Sequence, residues 1–277
     1  MLRIGIAGLG AIGKSVAQKL DSGIAGLRLS AIAVRDPHSD RHSVPQGALP
    51  STAGRITLQS PCIFTDIAGL EPHCDVVVEC APAALLPAIA EPVLRAGKTL
   101  MVLSIGALLR NMALIDLARE HGGRIIAPTG ALIGLDAVTA AAEGTIHSVK
   151  MITRKPVRGL AGAPYLVEHN ISIDDIKEPL RIFSGSARDA AMGFPANLNV
   201  AVALSLAGIG PDRTTLEIWA DPHIDRNIHR IEVEADSASF SMEIRNIPSD
   251  NPRTGKITAL SVIAALRKMT APLRVGT

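Results

Sequence analysis

The chain has 277 residues, of which 47% are hydrophobic, 19% are charged and only 2% are aromatic. This length and apolar content suit two domains with aliphatic cores rather than one compact domain. Basic residues outnumber acidic ones by only 28 to 26, and no basic run occurs, which argues against a protein that binds nucleic acid or a membrane surface.

The cysteines and the first residues indicate the cellular compartment. Cys62, Cys74 and Cys80 form no metal-binding spacing, and their odd number favours a reducing environment. The opening segment, MLRIGIA, passes straight into a predicted strand and does not resemble a secretory signal. The longest apolar stretch, 197–210, is too short to span a bilayer. We therefore expect a soluble cytoplasmic protein with no metal.

Short β-branched strands alternate with Ala- and Leu-rich helices through the first half of the chain. Alternation of this kind predicts a parallel, doubly wound sheet and hence the α/β class. A polar segment rich in Pro and Gly, 37–54, interrupts the pattern and is interpreted as a surface excursion. In chain order the pattern predicts strands at 2–8, 29–35, 74–81, 98–104 and 123–128, and helices at 11–23, 82–97 and 107–122.

After about residue 130 successive strands are joined by short turns, which indicates an antiparallel sheet carrying helices. A last helix, 256–269, is apolar on one broad face and needs a partner. The other predicted elements are strands at 145–155, 214–220, 229–235 and 239–247, and helices at 133–143 and 186–208. The second domain is therefore predicted to be α+β.

A glycine triplet, Gly8-x-Gly10-x-x-Gly13, lies between the first strand and the first helix. Gly8 permits a tight turn, Gly10 lets a pyrophosphate approach the backbone, and Gly13 allows the helix to pack closely on the strand. The helix N-terminus, with Ala11 and Ile12, supplies oriented N–H groups to the anion. In this context the triplet predicts dinucleotide binding; a purely structural glycine turn is the alternative.

The second strand ends in Arg35 and Asp36, where Rossmann domains select their nucleotide. Asp36 can accept a hydrogen bond from the ribose 2′-hydroxyl of NAD, whereas Arg35 can pair with the 2′-phosphate of NADP. A solvated strand end explains Arg35 equally well. The cofactor is therefore predicted to be NAD or NADP, without a choice between them.

Small residues close two other strands on the carboxyl side of the sheet, namely Cys80, Ala81 and Ser104. Ligands of open α/β sheets bind at that edge, and small residues suit a nicotinamide ribose, although they also merely end strands. Cys80 has no neighbouring base in the sequence, which favours a packing role for its thiol.

Two later segments also carry candidate contacts. The Gly-rich turn 128–136, which contains Ala131, offers N–H groups to a carboxylate or to the nicotinamide amide, or it simply begins a helix. Asn197 and Asn199 open an apolar helix and point to different faces, so one of them can face a ligand. The polar segment 246–254 before the last helix is explained by caps and turns.

Residues 221–229, DPHIDRNIH, concentrate polar groups between two predicted strands. Because Asp, Pro and Asn are turn formers, this segment is either a solvated turn or an active-site loop. Histidine, with an ordinary pKa of about 6.5, is the side chain suited to moving protons near neutral pH.

The segments GLGAIG, VVVECAP, SIGAL, TGALIGLDAV, TRKP, FPANLNVAVALSLAG, DRNIH and NIPSDNPRTGKITALSVIAALR occur in this order. Together they resemble the L-aspartate dehydrogenase family from the first strand to the last helix. The resemblance implies a Rossmann domain at 1–128, a catalytic domain at 129–252 and a C-terminal segment, 253–277, whose helix returns to the first domain. Two departures are Val157, where the family often has a second proline, and the very polar excursion.

The implied reaction is the reversible oxidative deamination of L-aspartate by NAD or NADP to iminoaspartate, and then to oxaloacetate and ammonia. In some organisms the imine feeds NAD biosynthesis. By the same resemblance the catalytic histidine is His229, and nucleotide contacts fall on Ala131 and on Asn199, with Asn197 as the alternative.

A substrate with two carboxylates also needs cationic and orienting partners. Asn227 and Arg226 are assigned as substrate-facing neighbours of the histidine, while His223 is interpreted as a surface residue. The other cationic candidates for charge-assisted hydrogen bonds are Lys155, Arg154 and Arg253.

Two other functions stay open. One is a related dehydrogenase of another amino acid or of a cyclic imine, and the other is a catalytically silent dinucleotide sensor. In each case the expected partners are small molecules, with no nucleic acid and no membrane, and the expected assembly is a homodimer.

Overall fold

The computed structural model describes residues 1–36, 56–194, 198–249 and 255–277. The predicted excursion at 37–54, Asn197 and Arg253 therefore lie outside the described residues. The chain forms two compact units: Met1–Pro128 with Ala259–Arg274, and Thr129–Thr258 with Val275–Thr277. In the described ranges, no helix is long and apolar enough to cross a bilayer.

The first unit contains a six-stranded, fully parallel sheet. Its strands are β1 (Leu2–Ala7), β2 (Leu27–Ala33), β3 (Ile63–Thr65), β4 (Val76–Glu79), β5 (Thr99–Val102) and β6 (Arg124–Ile126), and its helices are α1 (Ala11–Asp21), α2 (Leu86–Arg95), α3 (Ile105–Leu109) and α4 (Ala113–His121). The strand order is β3-β2-β1-β4-β5-β6, so the direction of winding reverses between β1 and β4. This order confirms the predicted Rossmann-type class and creates a crevice at the carboxyl ends of those two strands.

Aliphatic side chains fill the core of this unit, as the scarcity of aromatic residues requires. Ile4 and Ile6 of β1 are fully buried between their neighbours. The C-terminal helix α9 (Lys256–Thr270) adds Val262 and Leu266 to the same cluster. Its broad apolar face is therefore covered by the parallel sheet and its helices.

The prediction of one continuous helix at 107–122 in the first unit is wrong. The segment 107–122 forms two helices, α3 and α4, separated at residues 110–112. The side-chain amide of Asn111 donates to the carbonyl of Ala107 at 2.8 Å, and its backbone N–H donates to Leu108. Local bonds of this kind compete with the helical ladder and end α3 after Leu109.

The second unit contains a five-stranded sheet in the order β11-β10-β7-β9-β8. Its strands are β7 (Ile146–Pro156), β8 (Leu180–Ser186), β9 (Thr214–Asp221), β10 (Ile228–Ala235) and β11 (Ser239–Arg245), and its helices are α5 (Leu135–Ala141), α6 (Pro164–Glu168), α7 (Ala187–Gly193) and α8 (Asn199–Ala207). The α+β character is as predicted.

Two expectations for this unit are corrected. The sheet is mixed, not antiparallel, because β7 and β9 pair in parallel from Val149 opposite Thr214 onward. The chain between them forms β8 and the helices α6, α7 and α8, a crossover long enough for parallel pairing. The predicted helix at 186–208 is likewise two helices, α7 and α8.

Candidate functional site

The glycine turn after β1 is shaped by close backbone approach. Gly8 has φ +100°, and a Cβ there would lie 2.8 Å from the carbonyl oxygen of Cys80. A Cβ on Gly13 would overlap the carbonyl oxygen of Gly8 itself. A Cβ on Gly10, in contrast, would meet nothing within 4 Å among the residues that the structure describes. The first and third glycines are thus required by the turn, and the second faces open space.

The N-terminus of α1 is well suited to receive an anion. Gly10 is its N-cap residue and has no side chain that could accept a hydrogen bond from the first turn. The first turn also contains no acidic residue. The N–H groups of Ala11, Ile12 and Gly13 therefore keep the positive end of the helix dipole available to a pyrophosphate.

Arg35 and Asp36 lie just beyond β2, and both are exposed. Either side chain has the solvent access that a contact to an adenosine ribose or its phosphate requires.

Cys80 and Ala81 pack against the glycine turn. A Cβ on Gly8 would lie 3.1 Å from the Cα of Ala81, and one on Gly13 would lie 3.4 Å from the Cβ of Cys80. Burial raises the pKa of the Cys80 thiol. The thiol therefore stays protonated at neutral pH and serves packing, while the backbone of 80–81 borders the predicted dinucleotide site.

A buried carboxylate, which the sequence pattern does not reveal, organises the neighbouring strand ends. Glu79 is fully buried at the end of β4. It accepts hydrogen bonds from the N–H of Leu103 at 3.1 Å, the N–H of Ser104 at 2.8 Å and the hydroxyl of Ser104 at 3.0 Å. Burial raises its pKa, and these hydrogen bonds oppose that rise. The sequence signal that could have identified this residue is a Glu in an otherwise apolar strand, VVVE. A buried acid there is costly unless it has hydrogen-bond partners.

The predicted catalytic histidine lies near the start of β10, in agreement with the strand predicted at 229–235, and not in the preceding loop. His229 is the second residue of β10 and pairs with Thr153 of β7 and Ile244 of β11. Its side chain is 3% exposed, and its Nδ1 lies 3.2 Å from the Thr153 hydroxyl oxygen. The sheet register therefore fixes the orientation of the imidazole, which a surface turn would not do.

Lys155 lies on the same buried face as Thr153, two residues further along β7. Burial lowers the pKa of Lys155 to about 8. Burial, and then the charge of Lys155, lower the pKa of His229 to about 3. At neutral pH the pair therefore combines a neutral imidazole with a cationic amine in a buried setting.

The loop itself is organised mainly by its acids. Asp221, at the end of β9, accepts the backbone N–H of His223 at 2.9 Å and pairs with Arg154 at 3.1 Å. Arg226 makes two hydrogen bonds to the adjacent Asp225, at 2.7 and 3.1 Å. Both arginines thus have carboxylate partners, and among the described candidate cations Lys155 is the buried one.

His223 and Asn199 are both at the surface. The side chain of His223 is 60% exposed, 3.7 Å from Glu178, as its interpretation as a surface residue requires. Asn199 is the first residue of α8 and is exposed.

Asn246, which the sequence pattern explains as a cap or turn residue, forms hydrogen bonds to both Ala131 and Asn227. Asn246 donates its side-chain amide to the carbonyl of Ala131 at 2.9 Å. Its backbone N–H donates to the carbonyl of Asn227 at 2.8 Å. The turn at 129–134 and the segment leading into β10 are therefore held together within the second unit.

The parallel sheet and its glycine turn define a dinucleotide-binding domain of the Rossmann type. Residues 8–128 match the family described as "Homoserine dehydrogenase, NAD binding domain", and residues 136–269 match "Aspartate dehydrogenase, C-terminal". L-aspartate dehydrogenase of Bradyrhizobium diazoefficiens is 61% identical over 276 residues, covering 100% of this chain and 94% of the relative. L-aspartate dehydrogenase 3 of Bordetella bronchiseptica is 57% identical over 277 residues, covering 100% and 98%. The chain belongs to the L-aspartate dehydrogenase family, which confirms the resemblance carried by its segments.

Solved structures agree on the fold. The crystal structure of aspartate dehydrogenase from Thermotoga maritima superposes with a TM-score of 0.69 at 21% identity and covers 100% of both chains. At that identity the similarity concerns the architecture alone.

Proposed function

We propose that this protein catalyses the reversible NAD- or NADP-dependent oxidative deamination of L-aspartate to iminoaspartate, which hydrolyses to oxaloacetate and ammonia. One observation carries the proposal beyond family membership. In the unit that matches the C-terminal aspartate dehydrogenase family, a buried imidazole, His229, is oriented by Thr153 beside the buried cation Lys155. An acid/base group and a carboxylate partner are what the deamination of an amino diacid needs.

His229 is proposed to move the proton. Thr153 lies against Nδ1, which leaves Nε2 as the nitrogen for the substrate amine and for the water that hydrolyses the imine. The nicotinamide, when bound, supplies the acceptor for the hydride that leaves Cα. A neutral imidazole is the form that accepts a proton, and burial keeps it neutral by lowering the histidine pKa.

Lys155 is proposed to hold a substrate carboxylate by a charge-assisted hydrogen bond. A carboxylate in that position also offsets the lysine charge, which is one of the two causes of the low histidine pKa. Substrate binding would thereby raise the pKa of His229 towards the range in which proton transfer is efficient. Asn227 and Arg226 are proposed as neighbouring substrate contacts.

The remaining assignments extend the proposal to the nucleotide and the cell. The first unit is proposed to act as the dinucleotide domain and the second as the catalytic domain, in a cytoplasmic homodimer that can feed NAD biosynthesis. The proposed nucleotide contacts are Gly8, Gly10, Ala11, Ile12, Gly13, Arg35, Asp36, Cys80, Ala81, Ser104, Ala131 and Asn199.

A spectrophotometric screen of amino acids with both nucleotides at alkaline pH tests the proposal. Reduction of NAD or NADP with L-aspartate alone is the expected result. Turnover of a different amino acid or a cyclic imine would show that the protein is a related dehydrogenase with another substrate. Nucleotide binding without any turnover would show that it is a dinucleotide sensor.

A further inference from the structure

Asn246 lies on the same buried sheet face as the candidate catalytic groups. Ile244 is directly opposite His229 in the antiparallel ladder, and Asn246 follows two residues later, opposite Asn227. Residues two apart on a strand share a face, and diagonal neighbours across two strands are about 7–8 Å apart at Cα. Asn246 is only 5% exposed. Its side chain and that of His229 can therefore reach one small molecule from adjacent strands.

The orientation of the Asn246 amide is fixed by its partner. A carbonyl only accepts hydrogen bonds, so the group 2.9 Å from the Ala131 oxygen must be the NH₂. The Oδ1 atom consequently points the other way. No hydrogen-bond donor within the described ranges reaches this buried oxygen.

A buried acceptor without a donor is costly and rare in native proteins. The backbone at Gly255 packs closely against this amide. A Cβ on Gly255 would come within 3.1 Å of Asn246 Oδ1 and 3.3 Å of its Cβ. A side chain at 255 would therefore crowd the oxygen and any donor that approaches it.

We propose that Asn246 Oδ1 accepts an N–H from the amino nitrogen of the substrate, and that Asn246 is thereby a specificity-determining residue. The inference rests on the proposed function, which places an amino diacid at this cluster. The amine and the imine both carry N–H donors, so one acceptor serves both ends of the reaction. Lys155 and other cations recognise the carboxylates, whereas this oxygen distinguishes an amino diacid from a diacid without nitrogen.

The experiment compares aspartate with succinate, which has both carboxylates and no amine. KM for aspartate and the competitive inhibition constant for succinate are measured in the wild type and in Asn246→Ala, Asn246→Asp and Gly255→Ala. Asn111→Ala is the matched control, because Asn111 also donates its side-chain amide to a backbone carbonyl, in the other unit.

In Asn246→Ala the KM for aspartate should rise about tenfold or more relative to the inhibition constant for succinate, the loss expected for one hydrogen bond to a charged donor. Asn246→Asp replaces the donor to Ala131 with a second acceptor and adds a negative charge, which attracts the amine, so its ratio should fall below that of the wild type. Gly255→Ala should raise the ratio by crowding the oxygen, and Asn111→Ala should not change it.

An equal weakening of aspartate and succinate in Asn246→Ala, or a loss confined to nucleotide affinity, would overturn the inference. If Asn246→Ala does not fold, the ratios in Asn246→Asp and Gly255→Ala decide it. A wild-type protein that does not oxidise aspartate would instead refute the proposed function, so the two failures are distinguishable.

Discussion

The glycine turn of the first unit and the buried cluster of the second represent two ways of building a site. The turn is contiguous, from Gly8 to Gly13, and offers backbone N–H groups. The cluster consists of side chains from two strands, Thr153 and Lys155 of β7 and His229 of β10, together with Asn246, the residue that follows β11. The turn is proposed to bind its ligand because it lacks side chains, so adding atoms should damage it. The cluster is proposed to act by protonation and charge, so removing single groups should damage it.

The largest effect is expected in the cluster. His229→Ala should lower turnover by about two to four orders of magnitude, the usual contribution of a positioned acid/base group. Nucleotide affinity should hardly change. Steady-state kinetics with thermal melts measure both turnover and folding. The control is His223→Ala, which removes an exposed imidazole from the preceding loop and should be nearly silent. Near-normal turnover in folded His229→Ala would remove the histidine from the mechanism.

The turn is probed by adding a side chain at two of its glycines. Gly10 has φ −70° and ψ −171°, an extended conformation that valine adopts, and open space in front of it. Gly10→Val should therefore fold normally and bind both NAD and NADP roughly 10- to 100-fold more weakly. Gly13→Val, which overlaps Gly8, should lower the melting temperature as well. Unchanged nucleotide affinity in Gly10→Val, measured by titration calorimetry, would refute the pyrophosphate assignment.

The charge in the cluster is probed by Lys155→Met. The KM for aspartate should rise roughly 10- to 100-fold through loss of a charge-assisted hydrogen bond. The same substitution should make the folded protein more stable than the wild type at neutral pH, because it removes a buried charge. The pKa of Lys155 is lowered from 10.5 to about 8, so the folded wild type loses stability as pH falls through that window.

Lys155→Met lacks that titration, so its free energy of unfolding should rise relative to wild type as pH falls from 10.5 to about 8, and then stay level. Urea denaturation across this range measures the difference. A constant difference between the two proteins would contradict the burial of a titrating amine, whatever the kinetics show.

The smallest effect is expected at the exposed end of β2. Arg35→Gln should weaken NADP binding about three- to tenfold, because a solvent-screened charge contributes less than a buried one, and should leave NAD binding unchanged. Binding titrations with the two nucleotides give the ratio directly. Equal losses for both would exclude Arg35 as a partner of the 2′-phosphate.

The difference between the two sites also explains what can be predicted. The glycine turn is a local pattern between a strand and a helix, so composition and spacing are sufficient to place it. The parallel pairing of β7 with β9 depends on a long crossover, and the sequence carries no local mark of it. Glu79 escapes prediction because an acid at the end of a strand resembles an ordinary solvated strand end. Asn246 escapes prediction because a polar residue just after a strand resembles a cap. Their partners, at Ser104 and Ala131, are distant in sequence.

The order in which the chain folds follows from the same mixed sheet. Thr153 and His229 are 76 residues apart. The chain between β7 and β10 must therefore close a long loop before the imidazole of His229 can contact the hydroxyl of Thr153. Contacts of such high sequence separation form slowly, because loop closure costs entropy before the contact is made. The residues of the turn after β1 are contiguous, from Gly8 to Gly13, although the turn also packs on Cys80 at the end of β4. In a refolding chain, the regain of catalytic turnover therefore reports the late assembly of the central strands rather than the early appearance of helices.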